Sequence, residues 1–244
     1  MGDPEKAARV ADLRALLRRL ERRGAAAAEG DTDRSSLAFG PPEIDAALGG
    51  GLPLGCLHEV VSAEAEDAAA TGFCAALLGR LAAAGGPVLW IGDGPYAPGC
   101  LAFGLDPGRV ILVEAHRAAD RLWAMEEGLR CAALAAVLCE PAGRVGLTAS
   151  RRLQLAAEAG GVTGFLLHGR PSPGAGTAAS GRPLPPAKRT GSSAAVTRWR
   201  VAAAPSAPAG TGPVARLPGR PCWRLELLRC RGGRTGDWLV EWRD

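Results

Sequence analysis

The sequence predicts an α/β protein with a mainly parallel sheet, helices on both of its faces and an antiparallel edge at the C-terminus. Three observations predict it. Five short apolar runs, Leu57–Val61, Val88–Ile91, Val110–Val113, Leu134–Cys139 and Val162–Leu167, have the length and composition of strands buried on both faces. Helical stretches around 72–84, 118–132 and 148–160 fall between them, and strands that alternate with helices make parallel sheets. The last segments, "AVTRWRVAAA", "CWRLELLRC" and "DWLVEWRD", alternate instead with period two.

Taken in order, the chain divides into three regions. Residues 1–36 hold an amphipathic helix and a linker. Val10, Leu13, Leu17 and Leu20 recur at spacings of 3, 4 and 3 within "EKAARVADLRALLRRLERR", which places them on one helical stripe. "GAAAAEGDTDRSS" then reads as a flexible tether. Residues 37–170 form the α/β core, in which Phe73, Leu77 and Leu81 mark the inner face of one helix and Leu122, Met125 and Leu129 that of the next. Residues 171–244 combine two Pro/Gly/Ser/Ala-rich stretches, 171–194 and 204–221, with the closing strands. With little to bury, both stretches read as mobile loops. Trp223, Leu225 and Leu227 share one face of a strand, and Trp238, Val240 and Trp242 share one face of the next. "RGGRTG" between the two carries the glycines of a hairpin turn.

Charge is distributed unevenly. Residues 35–161 carry 8 basic and 14 acidic side chains, whereas residues 162–244 carry 13 basic and 4 acidic. A basic last third beside an acidic body suits an anionic partner, protein or nucleic acid. Among the 29 basic residues only Lys6 and Lys188 are lysine. That bias fits GC-rich coding and weakens arginine number as a sign of nucleic-acid binding. No apolar run reaches the roughly 18 residues of a membrane span, and no signal-peptide pattern opens the chain, so a cytoplasmic protein is expected. The seven cysteines are scattered, with no C-x-x-C, which argues against a disulfide framework or a zinc site.

The stretch that ought to carry chemistry is "SAEAEDAAATG", residues 62–72. It follows a buried strand and precedes a helix, the setting of a phosphate-binding loop. It holds no lysine, no glycine before Gly72, and three acids, Glu64, Glu66 and Asp67. Three carboxylates facing a triphosphate would each cost about 4 kcal/mol at ~4 Å and an effective dielectric of ~20. The same acids suit the N-terminus of a helix. His58-Glu59 lacks the second histidine of a zinc helix, and His116 and His168 have no ligand-spaced companions.

The order "PPEIDAALGGGLPLGCLHEVV" resembles the lead-in to the nucleotide loop of RecA-type recombinases. Together with "LRALLRRLE", "TRWRVAAAPS" and "RLELLRCRGGRTGDWLVEW", the chain more closely resembles the ImuA family, RecA-like accessory proteins of bacterial inducible mutagenesis cassettes. The resemblance implies a RecA-like sheet whose nucleotide site is degenerate. Ala68 stands where the loop lysine would be, Ala69 where its hydroxyl neighbour would be, and Asp67 where a glycine would be. Glu140 stands at the metal-holding carboxylate position, and Asp93 lies beside Gly94, where a water-activating glutamate would fall. The implied protein is not an ATPase and needs no cofactor or metal. It acts in SOS-induced translesion synthesis through contacts with ImuB, with RecA and, through ImuB, with an error-prone replicative-type polymerase. The expected contact residues are the Val10–Leu20 stripe, Arg229, Arg231, Trp238 and Trp242, the aromatics being read as exposed. Arg182, Lys188 and Arg189 fall in a stretch that corresponds to a DNA-contacting loop, so weak electrostatic DNA binding is a second expectation. The alternatives are a single-stranded-DNA-binding RecA paralogue and a SulA-like cell-division inhibitor.

Overall fold

The structure, a computed structural model, describes residues 36–63, 67–169, 192–207 and 219–242. Ten strands and five helices are seen among them. A two-residue pair, β1 (Ser36–Leu37) with β2 (Leu52–Pro53), brackets helix α1 (Pro42–Leu48) and the glycine turn 49–51. The main sheet contains β3 (Leu57–Ser62), β4 (Val88–Ile91), β5 (Val110–Val113), β6 (Ala136–Cys139), β7 (Thr163–His168), β8 (Thr197–Ala204), β9 (Cys222–Cys230) and β10 (Gly236–Glu241). Its order is β10-β9-β8-β3-β7-β6-β4-β5, and every pair from β8 to β5 is parallel. Only the β8–β9 and β9–β10 pairs of this sheet are antiparallel. The expectation of an antiparallel extension is therefore corrected in one respect: β8 pairs parallel with β3.

Two apolar layers enclose the sheet. On one face α2 (Asp67–Ala84) lays Phe73, Leu77, Leu78 and Leu81 over Val60, Trp90, Leu138, Phe165 and Trp199. This helix is apolar almost all round and is buried accordingly. Its one cation, Arg80, reaches out to the Phe39 carbonyl at 2.9 Å. On the other face α4 (Ala118–Leu129) and α5 (Leu147–Gly160) set Met125, Leu129, Leu153 and Ala157 over Leu57, Leu89, Val137 and Leu166. Helices thus cover both faces of a mainly parallel sheet, as the alternating pattern implies.

α2 begins at Asp67, five residues before the expected start, and a short helix α3 (Ala97–Ala102) follows β4. Trp238, Val240 and Trp242 do share a face, but it is turned inward against the first apolar layer. Trp238 lies 6.3 Å from Trp199 and Trp242 lies 5.9 Å from Trp223, centroid to centroid. The expectation that these rings are exposed is corrected; the exposed apolar side chain of β10 is Leu239.

The β8–β9 ladder contains a bulge. Arg198 pairs with Arg229 and Trp199 with Leu227, so Leu228 is the extra residue. Before the bulge Trp223, Leu225 and Leu227 face the α2 layer; after it Cys230 does. A one-residue insertion turns the following side chains to the opposite face. Arg229 and Arg231 consequently point away from the tryptophans and toward α5.

Candidate functional site

The parallel topology brings the carboxyl ends of β3, β7, β6 and β4 to one edge of the sheet, where ligands bind in open α/β proteins. The residues singled out for nucleotide chemistry meet there. β3 ends at Ser62, and α2 opens at Asp67 with Ala68 exposed and Ala69 packed in the apolar layer. Glu64 and Glu66 lie outside the described residues.

Glu140 follows β6 and Asp93 follows β4. The Trp90 indole N–H donates to Glu140 Oε1 at 2.9 Å, and the Asp93 backbone N–H donates to Glu140 Oε2 at 3.0 Å. Gly92, with φ of 147°, permits this approach: a Cβ there would stand 2.5 Å from Glu140 Oε2. Asp93 in turn pairs with Arg121, whose Nη2 donates to Asp93 Oδ1 at 2.9 Å. The other arms of Arg121 donate to the Glu140 carbonyl and to the Ala115 carbonyl, both at 2.6 Å. Glu140 thus accepts through both oxygens from the protein's own donors, while Asp93 accepts from Arg121 through Oδ1 and is 61% exposed. Arg121, buried in the first turn of α4, was not anticipated from sequence; a lone arginine facing an apolar layer is the signal that could have found it.

A second charged cluster sits in the middle of the sheet. Glu59 is fully buried in β3, and Arg198 Nε donates to its Oε2 at 2.6 Å. His168 Nε2 lies 3.7 Å from Glu59 Oε1 and has no hydrogen-bond partner. Burial alone would raise the Glu59 carboxyl, but the nearness and charge of His168, a hydrogen bond from Ser193 and the Arg198 guanidinium outweigh it. The result is a carboxyl held down at about 2. On the opposite face His58 is locked as a neutral core residue. Its Nε2–H donates to the Pro53 carbonyl at 2.9 Å, so Nδ1 accepts from the Thr197 hydroxyl at 2.7 Å. Burial pulls this histidine down to about 4, against the pull of the Pro53 hydrogen bond. Burial also pushes the Cys56 and Cys139 thiols up to about 12, far from thiolate chemistry. Among the described residues no group of His, Cys, Asp and Glu could hold a metal ion, and no helix is long and apolar enough to cross a membrane.

Arg229 and Arg231 lie together. Arg229 Nη1 donates to the Ser193 carbonyl at 2.5 Å and Arg231 Nη2 to the Ala194 carbonyl at 3.3 Å. With α5 they line a groove of about 410 Å³. Val10, Leu13, Leu17, Leu20, Arg182, Lys188 and Arg189 lie outside the described residues, as does most of the two Pro/Gly-rich stretches.

Fold and site together define an α/β protein with a doubly covered, mainly parallel sheet, in which protein donors bond to Glu140 and Asp93 at its carboxyl edge. No protein-family model matches the chain. It is, however, 42% identical over 216 residues to Protein ImuA of Caulobacter vibrioides, in strain NA1000 / CB15N and in strain ATCC 19089 / CIP 103742 / CB 15. The match covers 84% of this chain and 82% of the relative. The chain belongs to the ImuA family.

Proposed function

We propose that this protein is a non-catalytic, RecA-like accessory factor of the ImuA–ImuB mutagenesis system, acting in SOS-induced translesion synthesis by protein contacts with ImuB and RecA. The observation that carries the loss of catalysis is the arrangement at the carboxyl edge. Phosphoryl transfer there needs a lysine on the phosphates and a hydroxyl and carboxylate on Mg²⁺. The corresponding positions are Ala68, Ala69 and a Glu140 already bonded to Trp90 and Asp93. A fold kept without its reaction acts through its surfaces, and family membership supports ImuB and RecA as the partners.

Turnover of ATP, with and without single-stranded DNA, is expected to be absent. It is also expected to be absent after Ala68→Lys, because the hydroxyl and the loop glycines are missing too. Turnover that disappears on Glu140→Gln would overturn the non-catalytic reading. Separate titrations against ImuB, RecA and FtsZ test the partner assignment. Binding to ImuB and RecA, lost on Leu13→Glu with Leu17→Glu at unchanged melting temperature, is the expected result. Binding to FtsZ alone would replace this reading with cell-division inhibition.

A further inference from the structure

The groove between α5 and the end of β9 is built differently from the rest of the surface. Leu147, Arg151 and Leu155 follow one another at intervals of four on α5, so they form a single row along the helix. Leu147 and Leu155 are 51% and 57% exposed, two of six large apolar side chains so exposed among the described residues. Eight residues apart, they stand about 12 Å apart along the axis. The opposite wall is basic, because the Leu228 bulge turns Arg229 and Arg231 into the groove.

None of Arg151, Arg229 and Arg231 meets a carboxylate among the described residues. The acid in the groove is Glu158, which accepts from Gln154 at 2.7 Å. Two exposed leucines flanked by three guanidiniums, against the one carboxylate of Glu158, are complementary to an apolar segment that carries negative charge. Phosphodiester recognition would use the arginines but leave both leucines against a charged backbone, and no aromatic ring lines the groove for base stacking.

Outside the described residues the most acidic run, residues 29–33, holds no large aliphatic side chain to serve as an anchor. Residues 170–191 carry four basic and no acidic side chains, residues 208–218 one basic and none acidic, and residues 1–35 eight basic against seven acidic. We propose that this groove is the docking site for an acidic peptide segment of a partner protein, with two aliphatic anchors seated on Leu147 and Leu155 and carboxylates on Arg151, Arg229 and Arg231. The proposal deepens the accessory role above and rests on it only in taking protein contact as the function.

The test uses the full chain and a random peptide library displayed on phage, so that no named partner is presumed. Enriched peptides are expected to be net acidic with paired aliphatic residues. Their affinity is expected to fall roughly tenfold or more for Leu147→Ser with Leu155→Ser, and likewise for Arg151→Ala with Arg231→Ala. Leu147, Leu155, Arg151 and Arg231 are exposed, so melting curves should overlay the native one. Three outcomes would overturn the proposal: no enrichment; enriched peptides that are basic or bind all variants equally; or oligothymidine binding that the leucine pair weakens. A concentration-dependent dimer lost on the leucine substitutions would assign the groove to a second copy and would overturn it as well. An ImuB titration that fails while acidic peptides still bind would remove that partner and leave the groove.

Discussion

Replacing Glu140 by alanine separates a structural carboxylate from a catalytic one. Trp90 is fully buried in β4, and its indole N–H donates to Glu140 Oε1. Truncation leaves that N–H without its acceptor, which costs about 1–3 kcal/mol. The Asp93 N–H also loses its acceptor, but it is exposed and water replaces the bond at little cost. For a chain of this size each kcal/mol moves the melting temperature by about 2–4 °C, so Glu140→Ala should melt about 2–12 °C lower. Glu140→Gln keeps an oxygen for Trp90 and sets an amide toward the Asp93 N–H, so its loss should be smaller. Thermal melts followed by circular dichroism, with and without Mg²⁺ and ATP, measure both. A carboxylate kept for metal would behave differently: its removal would leave the apo melting temperature unchanged and abolish a shift caused by Mg²⁺–ATP. Either result for Glu140→Ala, or an equal loss for Gln and Ala, would refute the reasoning.

Glu59 should set part of the acid limb of stability. Its folded carboxyl is held at about 2 against an ordinary 4.5, so its stabilisation is present above the ordinary value and fades as pH falls from about 4.5 toward 2. Urea melts across that range should show Glu59→Gln less stable near neutrality and converging with the native chain in acid; parallel curves would sink the assignment. Gly79→Ala should destabilise α2 although alanine is the better helix former by about 1 kcal/mol, because a Cβ at Gly79 meets the Gly104 carbonyl oxygen at 2.6 Å. A raised melting temperature would show that the 104–105 turn yields.

Most of the fold was legible because each strand of the parallel core is an apolar run bounded by glycine, proline or charge. What failed did so for physical reasons. The start of α2 was legible only through its acids, which suit a helix N-terminus, because Ala68–Ala70 give no apolar periodicity to fix its first residue. The direction of β8 is hidden because alternation announces a strand without naming its neighbour. The inward turn of Trp238 and Trp242 depends on which face of the edge strand the α2 layer reaches, and period two leaves both faces open. At the carboxyl edge the positions were legible through resemblance, yet the bonds that occupy them were not. Nothing in sequence joins Arg121 to Asp93, 28 residues earlier.

The Leu228 bulge shows how one residue can turn the following side chains to the other face of a sheet without altering strand order. In an unbroken strand Arg229 would continue the row of Trp223, Leu225 and Leu227 and would face the α2 layer, where an unpaired guanidinium is costly. The insertion sends Cys230, a small apolar side chain, to that face instead and delivers both arginines to the face with α5. There each finds a carbonyl of residues 193–194 and keeps further N–H groups for a ligand. The same segment carries Ser193, whose Oγ accepts from the Ala195 backbone N–H at 3.1 Å. At the carboxyl edge Arg121 and both oxygens of Glu140 are engaged by the protein's own bonds, whereas on the α5 face Arg151 and Arg231 are exposed. That contrast is the argument for seating the proposed acidic peptide on the α5 side of the sheet.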